Sequence, residues 1–287
     1  MQQVSVKFVF GQSNAVAAQA ALPEKKRIRQ PMTRVFTLPR VPNQAYSPAP
    51  VVWQGYTSFD TNLGETQPDN GCFSTEYARL WQQDAGLLPL YIITMAIGAQ
   101  GVTSRFMWYP ERERRIVPGP LGTADVSLYP LSCDVMRRAL DDLRAQGLDP
   151  VVSGLEWLGG EEEDGLPFEE LDGVLPGIYD RMLRGWREAA GCRLPVYLYH
   201  VRSYEQKRIN QNDLRSIGYI NDTFDALAAS DPDVFTVDPC DCPLYDPSAP
   251  NSGLYFPDLV HYLPEVNCWL ARNAFVRDQR LLKVNKN

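Results

Sequence analysis

The stretch Val4-Ser5-Val6-Lys7-Phe8-Val9-Phe10-Gly11-Gln12-Ser13-Asn14 decides how the rest of the chain is read. Its first seven residues are mostly β-branched or aromatic and read as a strand. Gly11 ends that strand in a residue without a Cβ, which permits a tight turn. A serine on such a turn is presented at the carboxyl edge of a sheet. Taken alone, Gly11-Gln12-Ser13-Asn14 also reads as an ordinary turn, since Gly, Ser and Asn are common turn residues.

Working outward, the same alternation recurs. Residues 90–97, 151–158, 195–201 and 234–237 read as further strands, and 90–97 is a nearly unbroken apolar run, as expected of a strand buried on both faces. Residues 73–85, 132–146, 174–190, 212–229 and 264–277 read as helices. In the first of these, Ser74 stands at the start, and Tyr77, Leu80 and Trp81 fall at i, i+3, i+4 spacing; Gly147 stops the second. Alternating strands and helices predict a parallel sheet covered on both faces. The expectation is one α/β domain over residues 1–287, three-layer α/β/α around a mostly parallel sheet of about five strands.

Two stretches interrupt the alternation. Residues 22–70 are rich in Pro, Asn, Gln and Thr, and residues 105–129 mix charges with Pro118 and Pro120. Loops this long are usually functional insertions, and in α/β sheets ligands sit beyond the carboxyl ends of the strands. Both stretches are therefore expected to wall a site.

Composition narrows the function. The net charge of −7 and pI near 5 give no electrostatic reason to expect nucleic-acid or anionic-membrane binding. No stretch reaches about 18 consecutive apolar residues, so no membrane span is expected. Six cysteines in 287 residues do not make a disulfide framework. Cys240-Asp241-Cys242 has no matching Cys/His pair at zinc-finger spacing, so semi-buried thiols are expected there and no metal.

Asp258-Leu259-Val260-His261 places an acid and an imidazole three residues apart, just before the last helix. Serine is a poor nucleophile until a base takes its proton, and the imidazole needs an acid to fix its tautomer. Asp and His also serve as ordinary helix caps. The chain has only two histidines. His200 lies late in an apolar run and reads as a hydrogen-bonded, half-buried residue, which leaves His261 as the candidate base.

Taken together and in order, these segments resemble the sialate O-acetylesterase-like branch of the SGNH hydrolases. Gly11-Gln12-Ser13-Asn14 is similar to that family's first block, and Asp258-x-x-His261 to its last. Ala96-Ile97-Gly98-Ala99-Gln100 resembles the second block, commonly Gly-Gly-Thr after a strand. Trp157-Leu158-Gly159-Gly160-Glu161 resembles the third, commonly Trp-x-Gln-Gly-Glu. The four blocks span positions 11 to 261.

The resemblance implies an SGNH/flavodoxin-like α/β/α fold and a carbohydrate O-acetylesterase. Ser13 would be the nucleophile, His261 the general base and Asp258 its orienting acid. The oxyanion would be held by the backbone N–H of Ser13 and Gly98, and losing one such donor typically costs roughly 10²–10³ in rate. Where the family carries the glutamine of its third block, this chain has Gly159, so a backbone N–H there or Gln100 is the remaining candidate donor. Gln12, Asn14, Trp108 and Glu161 are the expected substrate-binding residues. Trp108 would stack on sugar, Asn14 would brace the turn, and Glu161 is also read as structural.

No cofactor is implied, and the expected partner is an acetylated oligo- or polysaccharide. Two other readings stand beside this one: an SGNH esterase or lipase acting on a non-carbohydrate ester, and a glycan-binding or structural protein on the same scaffold. Residues 1–7 lack the pattern of a secretory leader, which is the expectation for a cytoplasmic enzyme or a phage-borne one acting on host surface glycan.

Overall fold

In the computed structural model, which describes residues 1–16, 22–40, 45, 47, 49–59, 61–65, 72–112, 127–163, 165–202 and 211–284, the opening stretch forms β1 (Gln2–Gly11). Its apolar residues alternate between two cores, as the two-residue period of a strand requires. Val4, Val6, Phe8 and Phe10 face one layer, and Val9 faces the other. A strand with apolar side chains on both faces belongs at the centre of a covered sheet.

There are seven strands in the order β3-β2-β4-β1-β5-β6-β7. They are β2 (Val35–Thr37), β3 (Gln54–Gly55), β4 (Leu90–Ala96), β5 (Leu148–Leu158), β6 (Val196–Tyr199) and β7 (Val234–Val237), besides β1. Every pairing is parallel except β2 with β3. The mostly parallel sheet thus has two more strands than the five read from the sequence. Both extra strands lie within residues 22–70. They are too short to show alternation, and they gain their place from the sheet edge: Phe36 of β2 stacks on Tyr91 of β4 at 5.0 Å.

The helices are α1 (Ser13–Val16), α2 (Cys72–Gln83), α3 (Leu128–Ala145), α4 (Phe168–Leu171), α5 (Leu175–Ala190), α6 (Gln211–Ser230) and α7 (Pro264–Val284). Residues of α3, α5 and α6 pack on the Phe8–Phe10 face, and residues of α2 and α7 on the Val9 face, giving three layers. Helix α3 begins four residues before the position read from the sequence. Pro130 fits there because the first turn of a helix has no intrahelical use for its N–H. Helix α5 ends on Gly191 at φ 63°, a left-handed residue that closes the helix.

The Val9 face also buries charge. Lys7 Nζ lies 2.5 Å from Glu156 Oε1 and 2.8 Å from Asp278 Oδ2, with all three side chains 0% exposed. Arg277 pairs with both carboxylates, and Tyr77 donates to Asp278 at 2.6 Å. Two cations and two anions thus pin α7 to the middle of the sheet.

Because β4, β1, β5 and β6 run parallel, the residues just beyond their ends, Ile97, Gln12, Gly159 and His200, emerge at one sheet edge. Of the stretch 105–129, residues 113–126 lie outside the described residues, as do several positions in 22–70. Among the described residues, no helix is long and apolar enough to cross a membrane.

Candidate active site

Ser13 opens α1 directly after β1. The turn before it is forced by packing: Gly11 sits at φ 146°, and a β-carbon there would collide with the Leu158 carbonyl of β5. Gln12 N–H donates to that same carbonyl at 2.9 Å, so the turn is stitched to the neighbouring strand.

Asn14 carries the longest-range connection of the site. Its Nδ2 donates to Glu161 Oε1 at 2.7 Å and to the Val260 carbonyl at 3.1 Å, and its Oδ1 accepts from Tyr262 N–H at 3.1 Å. The residue after Ser13 is therefore bonded to both chain neighbours of His261. Gln12 Nε2 bonds the other oxygen of Glu161. Gln12 and Asn14 are each 1% exposed and Glu161 is buried. These three residues, read from the sequence as substrate-binding, are turned inward. They hold the first and third sequence blocks and the Asp258–His261 segment together, and Gln12 and Asn14 leave almost no surface to a ligand, Glu161 only 8% of its own.

Asp258 and His261 form the expected pair. His261 Nδ1 and Asp258 Oδ2 are 2.8 Å apart, and Asp258 Oδ1 accepts from the backbone N–H of Val260 at 2.9 Å and of His261 at 3.0 Å. Burial raises the Asp258 pKa, but these donors outweigh it and hold it below the ordinary carboxylate value. Asp258 therefore stays ionised at neutral pH and can fix the imidazole tautomer. Leu259, between them, is in the left-handed region at φ 61°, which lets the chain turn back tightly enough for the acid to reach the ring. Among the described residues no hydrogen bond joins Ser13 to His261.

The residues after β4 come to the same place. A β-carbon at Gly98 would lie 3.6 Å from Ser13 Cβ. Glu65, to which sequence reasoning gave no role, is there too: its Oε1 would be 3.6 Å from that β-carbon. Burial raises the Glu65 pKa, opposed by the Gly98 N–H and the charge of Arg40. Glu162 is also drawn in. Burial and the charge of Glu161 raise its pKa, and His261 acts against them. Neither carboxylate belongs to a motif; the run Glu161-Glu162-Glu163 is the only hint.

Packing bears on three further positions. Trp108 is 0% exposed, in edge contact with Trp157 at 5.0 Å, and its Nε1–H donates to the Gly11 carbonyl at 3.1 Å. It supports the turn from inside the core and cannot stack on a sugar. Gly159 has no room for the family's glutamine, because a β-carbon would lie 2.8 Å from Trp157 Cζ2. Gln100 accepts from Met107 N–H at 3.1 Å, so its carbonyl oxygen is committed to the loop beyond β4.

His200 pairs with Asp225 at 3.0 Å beyond the end of β6, a partly buried, hydrogen-bonded residue as expected. Among the described residues no group of three or more His, Cys, Asp or Glu side chains is placed to hold a metal ion.

A serine on a forced turn, an imidazole held by a carboxylate and backbone amides nearby are groups of the kind acyl transfer employs. No protein-family model matches the sequence, and no curated protein does. Solved structures match the fold over nearly the whole chain. NanS aligns at 14% identity with a TM-score of 0.63, covering 98% of each chain. A protein of Arabidopsis thaliana aligns at 13% identity with a TM-score of 0.62, covering 98% of this chain and 99% of that one. A carbohydrate acetylesterase of Xanthomonas citri aligns at 14% identity and TM-score 0.52, over 97% of this chain and 56% of that one. The chain shares its fold with these structures.

Proposed function

We propose that this chain is a serine esterase that removes O-acetyl groups from carbohydrate. Ser13 Oγ attacks the ester carbonyl while His261 takes its proton, and the sugar hydroxyl leaves with that proton. A water deprotonated by the same imidazole then attacks the acetyl-serine, which releases acetate and returns the proton to Ser13. Asp258 holds the ring and stabilises its charged form throughout. The oxyanion is met by the backbone N–H of Ser13 and by that of Gly98, which it takes over from the Glu65 carboxylate, with the backbone N–H of Gly159 or the amide end of Gln100 as third donor.

The observation that supports this reading best is the bracketing of His261 by Asn14. Two hydrogen bonds at 3.1 Å, from Asn14 Nδ2 to the Val260 carbonyl and from Tyr262 N–H to Asn14 Oδ1, fasten the serine turn to the segment that carries the base. A purely binding protein has no use for that alignment. Carbohydrate as the alcohol and acetyl as the acyl group rest on the four sequence blocks and on the fold shared with a carbohydrate acetylesterase.

The experiment is acetate release from p-nitrophenyl acetate and from acetylated xylan, comparing wild type with Ser13→Ala. Release by wild type that disappears in the variant is the expected result. A folded wild type inert toward every acetyl ester would overturn the reading in favour of a glycan-binding role.

A further inference from the structure

Glu65 reaches the site through a segment with no freedom to place it elsewhere. Asn62 Nδ2 donates to the Ala96 carbonyl at 2.9 Å, and its Oδ1 accepts from Ala96 N–H at 2.8 Å and Gly64 N–H at 3.1 Å. Leu63 N–H bonds the Thr94 carbonyl at 2.9 Å. Gly64 packs so closely on Ala96 that a β-carbon would collide with its carbonyl oxygen. Residues 62–64 are thereby zipped to the end of β4, and the next side chain is delivered to Gly98 opposite Ser13.

We propose that Glu65 is a specificity-determining residue that makes the site select acetyl esters of uncharged sugars and disfavour sugars carrying a carboxylate. This rests on the esterase reading above. A carboxylate oxygen of Glu65 and Ser13 Cβ would both lie 3.6 Å from a β-carbon at Gly98, which keeps the two within about 7 Å of one another, in range of a sugar whose ester sits on Ser13. A neutral sugar offers hydroxyls that a carboxylate accepts from, whereas a uronate or sialate brings a second negative charge. The other acidic groups close to the site, Asp258 and Glu162 beside His261, act with the same sign. The cation whose charge reaches Glu65 is Arg40. Two like charges about 7 Å apart at an intermediate effective dielectric change a rate about tenfold.

The test compares kcat/KM for an acetylated xylo-oligosaccharide and an acetylated galacturonic-acid oligomer in wild type, Glu65→Gln and Glu65→Ala. Wild type is expected to favour the uncharged substrate by about tenfold, and either variant to bring the ratio of the two substrates close to one, Glu65→Gln keeping an acceptor oxygen for the sugar hydroxyls and Glu65→Ala removing it. Circular dichroism and thermal unfolding report that each variant is folded. An unchanged ratio with both substrates turned over, or a wild type that prefers the galacturonate, overturns the role of Glu65 and leaves the esterase reading intact. Loss of turnover on both substrates in the folded variants also overturns it, because Glu65 would then serve the reaction itself. A wild type inert on both and on p-nitrophenyl acetate removes both proposals.

Discussion

The backbone N–H of Tyr262 donates to Asn14 Oδ1 at 3.1 Å, joining two positions 248 residues apart in the sequence. The same Asn14 side chain meets Glu161 and the Val260 carbonyl, so one amide aligns three segments. Asn14→Ala leaves a buried carboxylate and a buried N–H without their partner, which costs about 1–3 kcal/mol of stability. The serine and the base also lose their common anchor, and a small misplacement of that kind lowers turnover about 100-fold. Thermal unfolding and acetate-release kinetics check both effects. Full activity in the variant would show that the alignment does not depend on Asn14.

Gly159 and Trp157 exclude one another's alternatives. With Trp157 Cζ2 2.8 Å from where a β-carbon would sit, Gly159→Gln does not restore a family-like donor. Overpacking against a buried ring is expected to cost about 1–3 kcal/mol, with no gain in kcat. A variant that is both stable and faster would place the ring differently from the arrangement described.

Glu163 is buried, and its Oε1 accepts from Val102 N–H. Burial pushes its carboxyl up to about 7, against backbone N–H donors from Val102, Glu163 itself and Thr103 and with the charge of Glu162. The unfolded chain releases this proton near the ordinary value of 4.5, whereas the folded chain keeps it to about pH 7. The folded state therefore binds more protons between those values, and its stability falls as pH rises from about 4.5 to about 7 and is level above. The expected loss is of the order of 3 kcal/mol. Glu163→Gln keeps the acceptor oxygen and carries no charge, so urea unfolding of that variant is expected to lose this pH dependence. A wild-type curve that is flat or rises across the window would contradict it.

Lys7→Met leaves Glu156 and Asp278 buried with Arg277 as their remaining cation. Breaking a buried ion pair from one side costs about 3–5 kcal/mol. The variant is expected to melt earlier and to expose α7 first, which amide hydrogen exchange across Pro264–Val284 would show. A wild-type melting temperature would mean that the cluster adds nothing over an apolar contact.

Much of this is readable in the sequence for a physical reason. Strands buried on both faces, such as residues 90–97, have no choice but to be apolar, and helices such as α5 show their spacing over several turns. Asp258 and His261 are close in sequence, so their pairing is a local matter. Ser13 and Gly98 come directly after strands, and parallel strands bring their trailing residues to one edge. Other features are tertiary. The short β2 and β3 have no period of their own and exist by leaning on β4. Whether an aromatic such as Trp108 faces core or solvent is decided by the groups that pack against it. Glu65 comes from an irregular stretch, and its approach to Gly98 depends on Asn62 reading the backbone of Ala96, which no spacing rule encodes. The inward turn of Gln12, Asn14 and Glu161 shows the same limit, since residue type alone does not separate a group that grips a ligand from one that grips the scaffold.

The bond between Lys7 and Asp278 spans 271 residues, and it bears on how the chain is made. β1 leaves the ribosome well before α7 and occupies the middle of the finished sheet; β5 brings its lysine one carboxylate, Glu156, but the second carboxylate, Asp278, and Arg277 come only with α7. One face of the central strand must therefore stay wet until α7 has been made. The earlier strands can pair around it, but the core beneath α7 closes late, and a chain cut short before Asp278 is expected to be recognised as unfinished by the cell's chaperones and proteases.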